Sequence, residues 1–309
     1  MSERKQVMRK PLLLFLLTLL LCGIAIFLSA CQSPPTAVET PAADQELTVV
    51  TSFYPIYIAT INITKEVPGV RVVNLTQTTA GCLHDYQLTP EDLKTLAGAQ
   101  IFIINGAGME SFVDKVINQL PALQVIDASQ GIPLIEGDHE ENNPHVWVSI
   151  THAIEQVETI SRQLAALDPE HAHRYTANAA DYIKKLEELK ARMHQALDGI
   201  TQRDIITFHE AFSYFAREFD LNVAAVIVQE PNSEPSAAEL AATIELVQQS
   251  GINALFAEPQ YSSRAAETIA RESGAKIYTL DPVVSGPMEA DAYLTIMEQN
   301  LLTLQEALQ

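Results

Sequence analysis

Short apolar runs recur along this chain in two sets of four, at 47–51, 70–75, 100–105 and 123–127, then at 204–207, 222–228, 254–257 and 276–280. Segments with helical periodicity separate them, giving the β-α-β-α alternation of parallel sheets covered on both faces. Four strands, a break and four more predict an α/β fold. It has two lobes, each with a mainly parallel four-stranded sheet flanked by helices.

The break constrains how the lobes are joined. After Asp168-Pro169-Glu170, no Gly or Pro occurs until beyond Leu197. Tyr175, Ala179, Tyr182, Ile183, Leu186, Leu189, Met193 and Leu197 fall on one stripe at steps of three and four. A helix of about 29 residues is about 43 Å long, more than one lobe needs for its own core. The expected architecture is an N-terminal lobe at 47–167, one long rigid linking helix at 168–198 and a C-terminal lobe at 199–309. An ordinary surface helix in a single domain is the alternative. Other helix starts are explicit: Thr89-Pro90-Glu91-Asp92 combines a cap, an N1 proline and first-turn acids, and Ser236 with Glu239 forms a capping box that should run to Gly251.

The first 46 residues do not belong to either lobe. Arg4, Lys5, Arg9 and Lys10 precede an apolar run from Leu12 to Leu28, and Leu28-Ser29-Ala30-Cys31 looks like a bacterial lipobox. Residues 1–30 then read as a lipoprotein signal peptide and Cys31 as the lipidated residue. A simple transmembrane anchor is the competing reading, at about 17 apolar residues. Residues 32–46, QSPPTAVETPAADQE, have no apolar period and read as a disordered tether. Cys82 is the one thiol in the body, so no internal disulfide supports the fold. The net charge is −20, and loss of residues 1–30 removes four bases and one acid to leave −23. Such a surface disfavours nucleic acid and bare anionic membrane.

Ligands of open α/β sheets bind beyond the carboxyl ends of strands. His84, His209 and Asp281 follow expected strands directly or by a short loop, and His145 lies in a loop fixed by Pro144 and Trp147. Two ligands from each lobe would then meet at one ion in the cleft. Three neutral imidazoles and one carboxylate make the closed tetrahedral shell that zinc favours. His152, His171, His173 and His194 read as surface or internally satisfied residues. Asp281, before a proline, could also be a simple turn former.

The words around these residues, GCLHDYQLTP at 81–90, NPHVWVS at 143–149, FHEAFSYFAREF at 208–219 and YTLDPV at 278–283, resemble the metal-binding class of ABC-transporter solute-binding lipoproteins. These are the zinc and manganese uptake receptors, and the resemblance runs from about Leu47 to the C-terminus. It implies the same four ligands and a rod-like linking helix. It also implies delivery of the ion to a membrane permease with a cytoplasmic ATPase, by a monomer lipid-anchored to the outer face of the bacterial cell membrane. In this class the third ligand is commonly His in zinc-type members and Glu in manganese-type members. His209 therefore points to zinc as cargo, with manganese as the alternative.

Two departures stand out. The loop at 136–143 is short and acidic where zinc-type members often carry a long histidine-rich loop. Gly81-Cys82-Leu83 stands where relatives often have proline directly before the histidine. Cys82 is expected as a buried neighbour of the ion, turned away from it because side chains alternate along an extended segment. Asp85, Glu210 and Glu258 are candidates to accept the second ring N–H of the ligand histidines. A zinc hydrolase is the competing class. However, a fourth ligand closes the shell, and Ser213 stands where a second histidine would complete H-E-x-x-H after His209-Glu210. No enzyme activity is expected. Adhesion, a role ascribed to some relatives, has no repeat, basic patch or aromatic stripe to support it here.

Overall fold

The first strand of each half is flanked on both sides, and this determines where a ligand can sit. In the computed structural model, which describes residues 46–309 apart from 77–81, 84–85, 138–141 and 228–234, two four-stranded parallel sheets are present. The signal segment, the tether with Cys31, and two site candidates, His84 and Asp85, lie outside the described residues. In the first sheet β1 (Leu47–Thr51) pairs with β2 (Val70–Asn74) in the register Leu47↔Val70 and with β3 (Ile101–Ile104) in the register Val49↔Ile101. β4 (Gln124–Asp127) closes the order 2-1-3-4. The second sheet repeats this with β5 (Asp204–Thr207), β6 (Asn222–Val226), β7 (Ala254–Ala257) and β8 (Lys276–Thr279) in the order 6-5-7-8. The winding direction reverses between β1 and β3 and again between β5 and β7. A crevice opens beyond the carboxyl ends of the strands at each reversal.

The central strands are continuous apolar runs because both faces are covered; Ile101–Ile104 and Ala254–Ala257 are buried throughout. Several strands stop a residue or two short of the apolar run that predicts them. One further ladder bond, Leu75 N to Thr51 O at 2.8 Å or Leu280 N to Ala257 O at 2.9 Å, continues past the last paired residue.

On the first sheet α1 (Tyr54–Ile63), α2 (Pro90–Ala97), α3 (Val113–Gln119) and α4 (Ile150–Leu167) intervene between or follow the strands. The long helix α5 spans Ala172–Leu197, about 39 Å at 1.5 Å per residue. Tyr175, Ala179, Tyr182, Leu186, Leu189, Met193 and Leu197 form its buried stripe. It begins four residues later than the sequence suggests. Asp168 terminates α4 instead of capping α5, and its carboxylate accepts from the Tyr175 hydroxyl at 2.6 Å and lies 2.8 Å from His171 Nδ1. Asn178 donates to the carbonyls of Ile63 and Lys65, and Arg203 donates to those of Leu197 and Asp198. Both regions of the rod are thereby tied to the first half and to the approach to β5.

The second half carries α6 (Ser213–Glu218), α7 (Ala237–Ser250), α8 (Arg264–Ser273) and α9 (Ala292–Ala307). Gly251, at φ +73, ends α7 in the left-handed conformation that glycine adopts without steric cost. The helix α9 packs back on α5, so the principal core joins Phe53, Phe102, Trp147 and Leu186 to Phe215, Phe256, Leu280 and Met297. A second cluster, around Ile206, Leu255, Val247 and Ile269, lies in the second half alone.

Candidate metal centre

The second sheet's reversal point supplies one side of the site. β5 ends at Thr207, and two residues later His209 is 1% exposed. β7 ends at Ala257 and is followed at once by Glu258, 3% exposed. Glu258 Oε1 accepts from the His209 ring at Nδ1 and from its backbone N–H, and Gln260 donates to the other carboxylate oxygen at 2.7 Å. A carboxylate can only accept, so Nδ1 carries a proton and Nε2 is the atom left to face the cleft. Burial disfavours a charge on this imidazole, but Glu258 and Cys82 outweigh it and push the pKa of His209 up to about 10.

His145 comes from the loop that leads into the short 3₁₀ turn Val146–Val148 and is 2% exposed. Asn143 Oδ1 accepts from the His145 backbone N–H at 3.0 Å and from Nδ1 at 2.9 Å, while its amide donates to the Glu210 carbonyl at 2.9 Å. That amide contact fixes which way round Asn143 lies, so His145 also holds its proton on Nδ1. The loop is braced from both halves. Asn105, just past β3, donates to the Pro144 carbonyl at 2.9 Å, and the Tyr214 hydroxyl of α6 donates to the Asn143 carbonyl at 2.8 Å.

The result is a pair of buried imidazoles, one from each half, with Nε2 atoms 3.2 Å apart. Cys82 Sγ lies 3.6 Å from His209 Nε2, and one ligand atom from each of Cys82, His145 and His209 falls within 4.8 Å of the others. Among the described residues these are the one group of three metal-ligating side chains so arranged. The expected orientation of Cys82 is thus corrected. Alternation separates side chains at i and i+1, whereas i and i+2 share a face. Leu83 is fully buried in the core and its N–H meets Met109 Sδ, and Cys82 turns towards the histidines.

Asp281 stands two residues past β8 and is not one of the three residues whose ligand atoms lie within 4.8 Å of one another. Its carboxylate accepts from the Val283 N–H at 2.7 Å, and its backbone exchanges bonds with the Asn300 side chain of α9. Burial first, and Glu258 in addition, raise the Asp281 pKa to about 6 against the opposing Val283 N–H. The turn is strained: Val283, β-branched and fully buried, sits at φ +61. It is held by the Asp281 and Asn300 contacts and by the Trp147 indole, which donates to the Pro282 carbonyl at 2.7 Å. That bond links the His145 loop directly to the Asp281 loop.

Of the residues expected to brace the rings, Glu258 meets His209 and Glu210 contributes its backbone carbonyl to Asn143. Asn143 itself and Tyr261, whose ring lies 5.5 Å from that of His209, were not singled out by the sequence. The spacing Asn143-Pro144-His145 is the one local sign of the former, since a side chain two residues back can reach the ring. Of the other described histidines, His152 meets Glu155, His171 meets Asp168, His194 lies against Phe219 and His173 is exposed.

The model of the family described as zinc-uptake complex component A, periplasmic, matches residues 49–307. The high-affinity zinc uptake system protein ZnuA of Bacillus subtilis is 31% identical over 304 residues, covering 92% of this chain and 94% of the relative. The zinc-binding lipoprotein AdcA of Streptococcus pneumoniae is 31% identical over 311 residues; the match covers 94% of this chain but 60% of that longer protein. Among solved structures, the solute-binding protein FpvC of Pseudomonas aeruginosa in complex with Mn2+ superposes with a TM-score of 0.78 at 33% identity, covering 85% of this chain and 99% of that one. Zn(II)-bound AdcA of Streptococcus pneumoniae gives 0.76 at 31% identity, covering 85% and 58%.

Proposed function

The chain belongs to the zinc-uptake complex component A family, and on that premise we propose that it is an extracytoplasmic receptor that captures zinc and delivers it to an ABC permease. His84, His145, His209 and Asp281 are the proposed protein ligands. The observation that carries this reading is the pair of buried imidazoles, whose Nε2 atoms converge to 3.2 Å while Asn143 and Glu258 hold their Nδ1 atoms. Two imidazole nitrogens that converge in this way suit a cation.

Capture is a ligand exchange in which the incoming ion competes with protons for the donor atoms. The imidazoles must be neutral and Asp281 ionised, so binding strengthens as pH rises through the range of these groups. Release requires a partner to separate the His145 side from the His209 side, since each supplies part of the shell. The family consists of solute-binding proteins, and no turnover is assigned to this one. Lobes at 47–167 and 199–309 about the linking helix, a monomeric state and lipid on Cys31 complete the proposal. The name of the streptococcal relative, a zinc-binding lipoprotein, supports the anchor.

Manganese is the second reading, favoured by the Mn2+ complex of FpvC. Imidazole nitrogens nevertheless suit zinc better than manganese. Zinc titration by competition with a chelating dye tests the assignment. His145→Ala and His209→Ala should each weaken zinc at least a hundredfold with the fold intact by circular dichroism. Unchanged affinity in either variant refutes the site.

A further inference from the structure

We propose that Cys82 is itself a ligand in this chain, supplying a thiolate beside His145 and His209 so that zinc is held on a Cys-His-His face. This rests on the metal-receptor reading above and changes its ligand set, because the sulfur is not one of the four family positions.

Two of the three edges of this face have the lengths of a coordination shell. A tetrahedral zinc with Zn–S of about 2.3 Å and Zn–N of about 2.05 Å has an S···N edge of about 3.5 Å and an N···N edge of about 3.4 Å. The corresponding separations are 3.6 Å for Cys82 Sγ to His209 Nε2 and 3.2 Å for the two Nε2 atoms. One ligand atom from each of Cys82, His145 and His209 lies within 4.8 Å of the others, so the three residues form a group that could hold one ion.

The orientation of the rings agrees. Asn143 Oδ1 and Glu258 Oε1 are acceptors, so each Nδ1 donates and each neutral ring turns its Nε2 lone pair inward. Two lone pairs and a sulfur facing a common point repel one another unless a cation or a proton lies between them. A bound zinc would sit at that point, and Cys82 would lose its thiol proton to solvent on binding it.

The chemical consequence is selectivity. Thiolate is a soft donor that suits zinc and disfavours manganese, which prefers oxygen. A Cys-His-His face makes this chain more zinc-selective than a shell of three imidazoles and a carboxylate. Binding zinc also covers the one thiol of the described body.

Cobalt(II) titration of the metal-free chain, followed by optical absorption, tests this. The expected spectrum combines the visible bands of tetrahedral cobalt with a near-ultraviolet thiolate-to-cobalt charge-transfer band. Cys82→Ser should abolish the charge-transfer band and keep the visible ones. Visible bands without charge transfer in the unmodified chain overturn the Cys82 assignment and leave the receptor reading standing. No saturable cobalt spectrum, together with no zinc uptake, overturns both. As a second readout, Cys82→Ser should lower the preference for zinc over manganese at least tenfold in competition; an unchanged ratio refutes the proposed role.

Discussion

Replacing Glu258 by glutamine removes one charge from the site and leaves its shape. Two effects then oppose each other. Losing the carboxylate behind a metal-bound histidine typically weakens the metal by about 10- to 100-fold. The same carboxylate, however, holds the His209 pKa up at about 10, so at pH 7 zinc must first displace a bound proton. Three pKa units correspond to about 4 kcal/mol. With glutamine, the largest of the interactions that raise this pKa is gone, so the ring gives up its proton at lower pH. The sign follows from linkage. A proton bound in the metal-free state and absent from the loaded state makes affinity rise about tenfold per pH unit below the pKa. From pH 7 to pH 9 the His209 term should therefore improve zinc binding about 100-fold in the unmodified protein and much less in Glu258→Gln. The variant should bind 10- to 100-fold more weakly at pH 9, with the two curves converging as pH falls towards 7. Chelator competition at several pH values measures this. Calorimetry in buffers of different ionisation enthalpy should count about one proton fewer released by the variant. Parallel curves over pH 7–9 would mean that Glu258 does not govern the His209 proton, and the reasoning would fail.

Other substitutions separate binding from stability. Asn143→Ala takes away the acceptor for His145 Nδ1 and should weaken zinc by about 10- to 100-fold, read in the same competition assay. Asp281→Asn should do the opposite to the fold. A carboxyl whose pKa rises from 3.8 to about 6 on folding penalises the folded state once pH exceeds about 4 and fully so above 6. The metal-free variant should then be more stable at pH 7 by ~3 kcal/mol, an advantage that vanishes by pH 4, while its zinc affinity falls. Chemical denaturation at both pH values checks the sign. Trp147→Phe leaves the Pro282 carbonyl without its indole donor and should cost about 1–3 kcal/mol in the same experiment.

Much of the fold is legible because local signals agree with tertiary ones. Ile101–Ile104 and Ala254–Ala257 are apolar throughout, which only a strand covered on both faces accommodates. Thr89 with Asp92 and Ser236 with Glu239 form the reciprocal caps their spacing suggests. Asp168 was ambiguous for a local reason: an aspartate before proline can end one helix or open the next, and Tyr175 and His171 decide it. The shared core was not legible, since nothing in the sequence of Ala292–Ala307 says that its apolar face returns to the long helix. Within the site, His209 could be singled out from its place beyond a strand and His145 from its place in a loop between Pro144 and Trp147. Asn143 and Cys82 could not be ranked in the same way. Their roles depend on which direction a loop turns after it leaves the sheet.

The central claim is most directly tested by the metal the protein holds. Elemental mass spectrometry of the chain purified without chelator, followed by zinc and manganese competition, gives that answer. A zinc receptor yields one zinc per chain that excess manganese does not displace. Preferential retention of manganese, or no tightly held metal at all, would contradict it.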